Sequence, residues 1–208
     1  MAVVGTPGGG YAAVVLAGGA ARRMGGADKP LLPVGGRPMR DRVLAAVADA
    51  APRIVVGPAN ALPPGVYGIR EEPAGGGPVA ALAAGLAQLD RTTPTATVAL
   101  LAADLPLLTA DAVRELRSTL ARSAADGAVY LDDSGRHQSL CGVWRVAPLR
   151  WAVRRLAAAR DGTLTGTSMR ALLAELTVLG VSWQGAGPPP WFDCDTDADL
   201  RRAEEWTR

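Results

Sequence analysis

The chain is poor in the residues that most often bind transition metals or carry out covalent catalysis. Its 208 residues include one histidine and two cysteines. Cys141 and Cys194 lie far apart and lack the spacing of metal ligands, so we expect no zinc site. His137 lies in a polar segment without the partners of a catalytic triad. We therefore expect two free thiols, as in a reducing, cytoplasmic compartment.

Long apolar runs and dense basic clusters are also missing. No apolar run reaches the length of a membrane span, and a net charge of +2 without a basic cluster argues against nucleic acid as a partner. Residues 8–10 are three glycines that interrupt the first apolar stretch, so we expect no signal peptide. The composition favours one α/β domain over 11–208, preceded by a flexible lead over 1–10.

Lysine is almost absent, because Lys29 is the only lysine among the 22 basic residues. It closes a loop that begins with Gly18 and Gly19, directly after an apolar run. Paired glycines let backbone N–H groups turn inward, and no Cβ atom blocks an approaching phosphate. A compact ammonium suits a narrow triphosphate pocket better than a broad guanidinium. The loop therefore favours phosphate binding, and a glycine-rich surface turn is the alternative.

Short apolar runs alternate with segments of helical periodicity along the chain. The predicted strands cover 12–16, 54–56, 66–69, 97–101, 128–131, 140–144 and 177–181. The predicted helices cover 40–50, 148–159, 168–175 and the segments that follow Pro78, Thr109 and Thr196. This alternation predicts βαβ units and a mainly parallel sheet, whose ligands bind beyond the carboxyl ends of the strands.

Acidic residues follow two of these strands and precede the last helix. Asp104 comes directly after a buried strand, where a carboxylate is costly unless it is paired or bound to a metal. Mg²⁺ prefers one or two carboxylates together with phosphate oxygens, which makes Asp104 a candidate ligand. Asp195 is either a second ligand or a capping acid, and Asp104 could also be a turn or capping residue. Glu71 and Glu72 are either site acids or solvated surface acids.

A glycine-rich loop over 75–77 precedes the predicted helix at Pro78. Helix N-termini attract anions, so this loop is a candidate anion site. A plain flexible loop is the alternative.

The segment from Leu16 to Lys29, LAGGAARRMGGADK, resembles the signature L-A-G-G-x-S/A-x-R-M-G-x-x-D-K. That signature belongs to the molybdenum cofactor guanylyltransferases and their nucleotidyltransferase relatives. The resemblance continues through Leu31-Leu32, Gly77-Pro78, the segment 101–106 and Asp195-Thr196. It therefore covers nearly the whole chain in order.

The resemblance implies a single three-layer, Rossmann-like α/β domain of the nucleotide-diphospho-sugar transferase type. It also implies Mg²⁺-dependent transfer of GMP from GTP to the phosphate of molybdopterin, with release of pyrophosphate. Transient contact with other proteins of molybdenum cofactor biosynthesis fits this role.

Carried over by position, the resemblance assigns roles to individual residues. Lys29, Arg23 and Asp104 would be catalytic, and Asp104 and Asp195 would hold Mg²⁺. The nucleotide-binding residues would be Leu16, Ala17, Gly18, Gly19, Lys29, Glu72, Gly77, Pro78 and Asp104.

The chain departs from the family pattern at four places, which bear on base contacts and on metal geometry. Residues 77–81 read Gly-Pro-Val-Ala-Ala where Gly-Pro-Leu-x-Gly is usual. Glu71 and Glu72 stand where an Asp is usual, and Gly57 stands where an Asn is often found. Residues 193–195 read Asp-Cys-Asp where some members have Asn-x-Asn. The alternatives are therefore CTP as donor, another small phosphorylated acceptor such as phospholactate, or a non-catalytic nucleotide-binding module.

Overall fold

The computed structural model describes residues 10–18, 28–58, 61–92 and 95–208. The strands in these ranges are β1 (Tyr11–Leu16), β2 (Pro33–Val34), β3 (Arg37–Pro38), β4 (Arg53–Val56), β5 (Val66–Ile69), β6 (Thr97–Ala102), β7 (Gly127–Leu131), β8 (His137–Arg145) and β9 (Val178–Ser182). The helices are α1 (Met39–Ala46), α2 (Pro78–Leu89), α3 (Ala110–Ala121), α4 (Val146–Ala158), α5 (Met169–Leu173) and α6 (Asp197–Trp206).

One seven-stranded sheet organises the described chain, in the order β5-β4-β1-β6-β8-β7-β9. Every neighbouring pair is parallel except those formed by β8, which runs antiparallel to both β6 and β7. The mainly parallel sheet predicted from the alternation of strands and helices is confirmed. Because only β8 is reversed, the carboxyl ends of the other six strands lie at the same edge.

Helices cover both faces of this sheet, which confirms the three-layer arrangement. Alternate residues of β1 belong to different cores: Ala13 and Val15 pack with α1 and α3, and Ala12 and Val14 pack with α2 and α4. A continuous apolar strand of this kind is typical of a central parallel strand buried on both faces. Helix α2 lies very close to β1, since a Cβ atom at Gly85 would be 2.6 Å from Cγ1 of Val14.

The helix starts confirm two predicted caps. The Thr109 side chain accepts a hydrogen bond from the N–H of Ala112, and Thr196 with Asp199 forms a capping box at α6. The predicted bounds are less accurate, because α1 ends at Ala46 rather than near residue 50. Both cysteines are free and buried. None of the helices in the described ranges is long and apolar enough to cross a membrane.

Candidate active site

A cavity of about 270 Å³ opens at the carboxyl edge of the sheet, beside the ends of β1 and β6. Its lining contains most of the residues that the sequence predicted to bind the nucleotide or the metal: Leu16, Ala17, Gly18, Lys29, Gly77, Pro78, Asp104 and Asp195. Two other predicted residues, Gly19 and Arg23, lie outside the described residues. These segments are far apart in the chain but meet beyond the carboxyl ends of parallel strands, which is where the sequence analysis expected a ligand to bind.

Lys29 connects the two predicted metal-ligand aspartates. Its Nζ atom lies 2.6 Å from Oδ2 of Asp104 and 2.7 Å from Oδ1 of Asp195. These partners are 75 and 166 residues away in sequence. The side chain of Lys29 is 9% exposed, whereas those of Asp104 and Asp195 are 23% and 71% exposed. A nearly buried ammonium therefore faces one shielded and one solvated carboxylate.

Backbone contacts fix the relative positions of these three side chains. Lys29 begins a single 3₁₀ turn over Lys29–Leu31, with Pro30 next to it. The N–H of Ala103 donates to the carbonyl of Leu16, and the N–H of Cys194 donates to the carbonyl of Asp104. The second bond ties the segment before α6 to the end of β6.

The capping roles considered for the two aspartates are wrong. Thr109 caps α3, and Thr196 with Asp199 caps α6, while Asp104 and Asp195 direct their carboxylates to Lys29. Both acids are therefore committed to the cavity rather than to a helix start.

The electrostatics of this cluster keep Lys29 charged. Burial lowers the pKa of Lys29, but hydrogen bonds and attraction from Asp104 and Asp195 outweigh burial and raise it above its usual value. Burial, followed by repulsion from Asp195 and Asp104, raises the pKa of the neighbouring Asp193. The cluster therefore holds a permanent ammonium among three acids at neutral pH.

The donor set at this cluster suits Mg²⁺ better than a softer metal. Asp104 and Asp195 reach the same Nζ atom, so two carboxylates converge on one small region. Mg²⁺ is commonly held by one or two carboxylates plus substrate phosphates and water. No group of three or more His, Cys, Asp or Glu ligands occurs within the described residues. Asp104 and Asp195 thus fit a metal that arrives with a phosphorylated substrate.

Glu71 is a cavity residue that the sequence-based residue set missed. It is buried, lines the cavity and accepts a hydrogen bond of 3.0 Å from the N–H of Gly75. Glu72 is exposed and is not part of this lining. Of the two readings considered for these acids, the solvated one fits Glu72 and not Glu71, and the nucleotide contact that the resemblance assigned to Glu72 falls to Glu71 in the cavity lining. The nearby glycine loop was the available signal, because its N–H groups can hold a carboxylate.

The same contact reveals what the glycine loop before α2 does. The anion that its Gly75 N–H binds is the chain's own Glu71 carboxylate. Gly77 has φ +94° at the N-cap of α2, a conformation that favours glycine, and Pro78 occupies the first turn. The loop therefore orients an acid toward the cavity.

Gly57 has a structural reason to replace the Asn found in related sequences. It has φ +133°, and a Cβ atom there would lie 2.7 Å from the N atom of Gly18 and 2.8 Å from the carbonyl carbon of Ala17. The backbone after β1 therefore occupies the space that a side chain at position 57 would need. A contact from an Asn at this position has no counterpart in this chain.

The sheet order and the lysine–carboxylate cluster at its carboxyl edge place the protein in the class of α/β nucleotidyltransferases. Residues 13–179 match the model of the MobA-like NTP transferase domain. The chain belongs to that family.

Individual proteins with a similar sequence or fold agree with this family assignment. The chain is 33% identical over 199 residues to a molybdenum cofactor guanylyltransferase of Bradyrhizobium sp., covering 92% of this chain and 90% of that protein. Its fold resembles the molybdopterin-guanine dinucleotide biosynthesis protein A of Archaeoglobus fulgidus, with a TM-score of 0.69, 18% identity and coverage of 93% and 97%. It also resembles a 2-C-methyl-D-erythritol 4-phosphate cytidylyltransferase of Francisella tularensis, with a TM-score of 0.72, 13% identity and coverage of 95% and 99%. These structural likenesses concern the fold alone.

Proposed function

We propose that this protein transfers GMP from GTP to the terminal phosphate of molybdopterin in a Mg²⁺-dependent reaction that releases pyrophosphate. The observation that carries the proposal is the convergence of Lys29, Asp104 and Asp195 in a cavity that begins at the Gly18 turn. The family match and the guanylyltransferase relative support the same reaction.

The reaction requires positioning and charge neutralisation more than proton transfer. An oxygen of the acceptor phosphate attacks the α-phosphorus of GTP, a new P–O bond forms, and the bond to the β-phosphate breaks as pyrophosphate leaves. The acceptor phosphate is already anionic at neutral pH, so the reaction needs no strong base. Lys29 supplies a fixed positive charge where negative charge develops, which is an effective form of catalysis in a shielded site.

Asp104 and Asp195 would hold the metal in this scheme. Mg²⁺, when bound, neutralises phosphate oxygens and helps to align the reacting groups. Lys29 would then exchange part of its contact with the two carboxylates for contact with phosphate, since an ammonium has three N–H donors.

Glu71 favours guanine over cytosine as the base. A carboxylate offers only acceptors, and the Watson–Crick edge of guanine presents two adjacent donors, the ring N–H and the 2-amino group. Cytosine presents one amino donor next to a ring acceptor, which a carboxylate cannot satisfy. Glu71 lies in the cavity wall and is held in place by the Gly75 N–H, so its orientation is fixed before the base arrives.

The direct test measures pyrophosphate release by purified protein with Mg²⁺. GTP and CTP are compared in separate reactions, with molybdopterin or phospholactate as acceptor. We expect release with GTP and molybdopterin. Release with CTP instead would overturn the base assignment, and nucleotide binding without release under every condition would indicate a non-catalytic module.

Replacing Glu71 by Gln should weaken the use of GTP and relax base selectivity. A glutamine amide pairs one donor and one acceptor, which suits cytosine better than guanine. Loss of a hydrogen bond to a charged group reduces kcat/KM for GTP by about 10–100-fold, and the relative rate with CTP rises. Steady-state kinetics with each nucleotide measure both changes.

The neighbouring acid provides the matched comparison. Glu72→Gln removes the same charge one residue further along the chain, at an exposed position outside the cavity lining. We expect a much smaller change in nucleotide selectivity for this variant. A larger effect at Glu72 than at Glu71 would show that the structure-based choice between the two acids is wrong.

A further inference from the structure

A second cavity, of about 430 Å³, lies at the same edge of the sheet beyond the ends of β7 and β9. Its wall contains Trp183, Trp191, Pro189 and the acids Asp132 and Asp133. It shares no lining residue with the cavity around Lys29. Two indole rings and two carboxylates thus surround one opening. They match a flat ligand whose edge carries N–H donors.

The aromatic part of this wall packs against the hydrophobic core. The ring centroids of Trp183 and Trp191 lie 5.6 Å and 5.2 Å from the ring centroid of the buried Tyr130. The Trp183 ring meets Tyr130 edge-on, and the Trp191 ring is tilted against it. The Tyr130 hydroxyl donates to Glu115, and the Trp183 ring N–H donates to the carbonyl of Gly187. Both indoles are therefore held in place before any ligand binds, which lowers the entropic cost of stacking.

The two acids of this wall are not equivalent. Asp132 accepts hydrogen bonds from Ser134, Arg136 and Gln138, and these bonds organise the turn before β8. Asp133 is exposed and has no hydrogen-bond or ion-pair partner within the described residues. Asp133 therefore keeps its acceptor oxygens available for a ligand.

This second cavity lies within reach of the reacting groups. Only β8 separates β6, which ends two residues before Asp104, from β7, which ends one residue before Asp132. Two strand spacings amount to about 10 Å, the length of a small phosphorylated molecule with fused rings. Trp191 and Asp195 are four residues apart, so the chain limits their separation to about 14 Å. A ligand in this cavity can thus extend a phosphate toward Lys29.

We propose that the cavity between Trp183, Trp191 and Asp133 binds the heterocyclic ring system of the phosphorylated acceptor. Trp183 and Trp191 pack against the rings, and Asp133 accepts hydrogen bonds from ring N–H and amino groups. The ligand class is a fused, planar heterocycle with a donor-rich edge, such as a pterin. This proposal rests on the proposed function, because that function supplies an acceptor that carries both such a ring and a phosphate.

The first test measures binding by isothermal titration calorimetry, with hydroxymethylpterin as a phosphate-free probe of the ring subsite. Stacking on an aromatic side chain contributes enough that Trp191→Ala should weaken binding by roughly 10-fold. Trp151→Ala is the matched control, because Trp151 is 52% exposed on α4 and lines neither cavity. Equal affinity of the Trp191 and Trp151 variants would overturn the proposal.

Asp133→Asn is the second variant, because this exposed side chain can change without disturbing the fold. It should weaken hydroxymethylpterin several-fold and weaken 6-hydroxymethyllumazine by clearly less, because this analogue keeps ring N–H donors but has an oxo group in place of the amino group. Glu205→Gln on α6 is its control. Trp191→Phe retains a stacking ring and should restore most of the affinity lost in Trp191→Ala, which separates stacking from a packing defect. Equal losses for both ligands in Asp133→Asn would contradict the role of Asp133.

Kinetics distinguish this proposal from the proposed function. With molybdopterin as acceptor, the Trp191 and Asp133 variants should raise the KM for the acceptor and leave the KM for GTP unchanged. Wild-type kinetics in these variants would overturn the acceptor subsite while guanylyl transfer stands. Probe binding that depends on Trp191, without pyrophosphate release from any acceptor, would overturn the proposed function while the ring subsite stands.

Discussion

Lys29→Ala is expected to reduce turnover by about 10²–10³-fold, the typical cost of removing one group that stabilises charge in a transition state. The ammonium is almost fully shielded and faces Asp104 and Asp195 at hydrogen-bonding distance. Its removal leaves no positive charge between these acids and the incoming phosphates among the described cavity residues. Pyrophosphate release at saturating GTP, Mg²⁺ and acceptor measures the loss.

Lys29→Arg tests whether the size and shape of the cation matter as well as its charge. A guanidinium is larger and planar, and it cannot occupy the single point at which Lys29 meets both carboxylates. We therefore expect this variant to remain close to Lys29→Ala in rate. Full rescue by arginine would show that any cation at this position is sufficient.

Two readouts separate a catalytic Lys29 from a structural one. Thermal unfolding reports the stability lost when the ion pairs are removed, and calorimetry reports GTP affinity. Arg154→Ala removes one positive charge from an exposed position on α4 and serves as the charge control. If the Lys29 variants lose stability but keep turnover within threefold of wild type, the lysine only holds Asp104 and Asp195 in place.

Local patterns predict the strands and helices well because the apolar periodicity of each element lies in its own residues, and Thr109 and Thr196 mark two of the helix starts. The convergence of Lys29 and Asp104 was also predictable, since both residues follow strands that run in the same direction. Their partner Asp195 was harder to place, because its position depends on a backbone bond between Cys194 and Asp104 across the fold. No local pattern encodes a contact of that kind.

The position of β8 in the sheet and the difference between Glu71 and Glu72 could not be predicted from the sequence either. β8 follows β7 in sequence but lies between β6 and β7, so it separates the two cavities by one strand. Strand order of this type depends on tertiary packing rather than on the strand's own residues. Adjacent acids likewise look equivalent in sequence, and the Gly75 N–H makes one of them a cavity residue.

Asp104→Asn is expected to reduce turnover by about 10²–10³-fold and to raise the Mg²⁺ concentration needed for half-maximal rate. The substitution keeps the shape of the side chain. It also leaves the backbone carbonyl of residue 104, which accepts the Cys194 N–H, unchanged, so the fold should persist. It removes the more shielded of the two carboxylates, since the Asp104 side chain is 23% exposed and that of Asp195 is 71% exposed. Asp195→Asn should therefore have the smaller effect.

Binding of Mn²⁺ in the presence of GTP, followed by electron paramagnetic resonance, tests the ligand role independently of turnover. Asp104→Asn should weaken Mn²⁺ binding, because a neutral amide is a poorer ligand for a hard cation than a carboxylate. The same variant also removes one negative charge beside Lys29 while its amide oxygen can still accept a hydrogen bond, so the pKa of Lys29 falls. Asp195 still faces Lys29 in this variant, so Mn²⁺ affinity, rather than rate alone, separates loss of the metal ligand from a change at the lysine. An unchanged magnesium response in Asp104→Asn would mean that the carboxylate serves Lys29 alone.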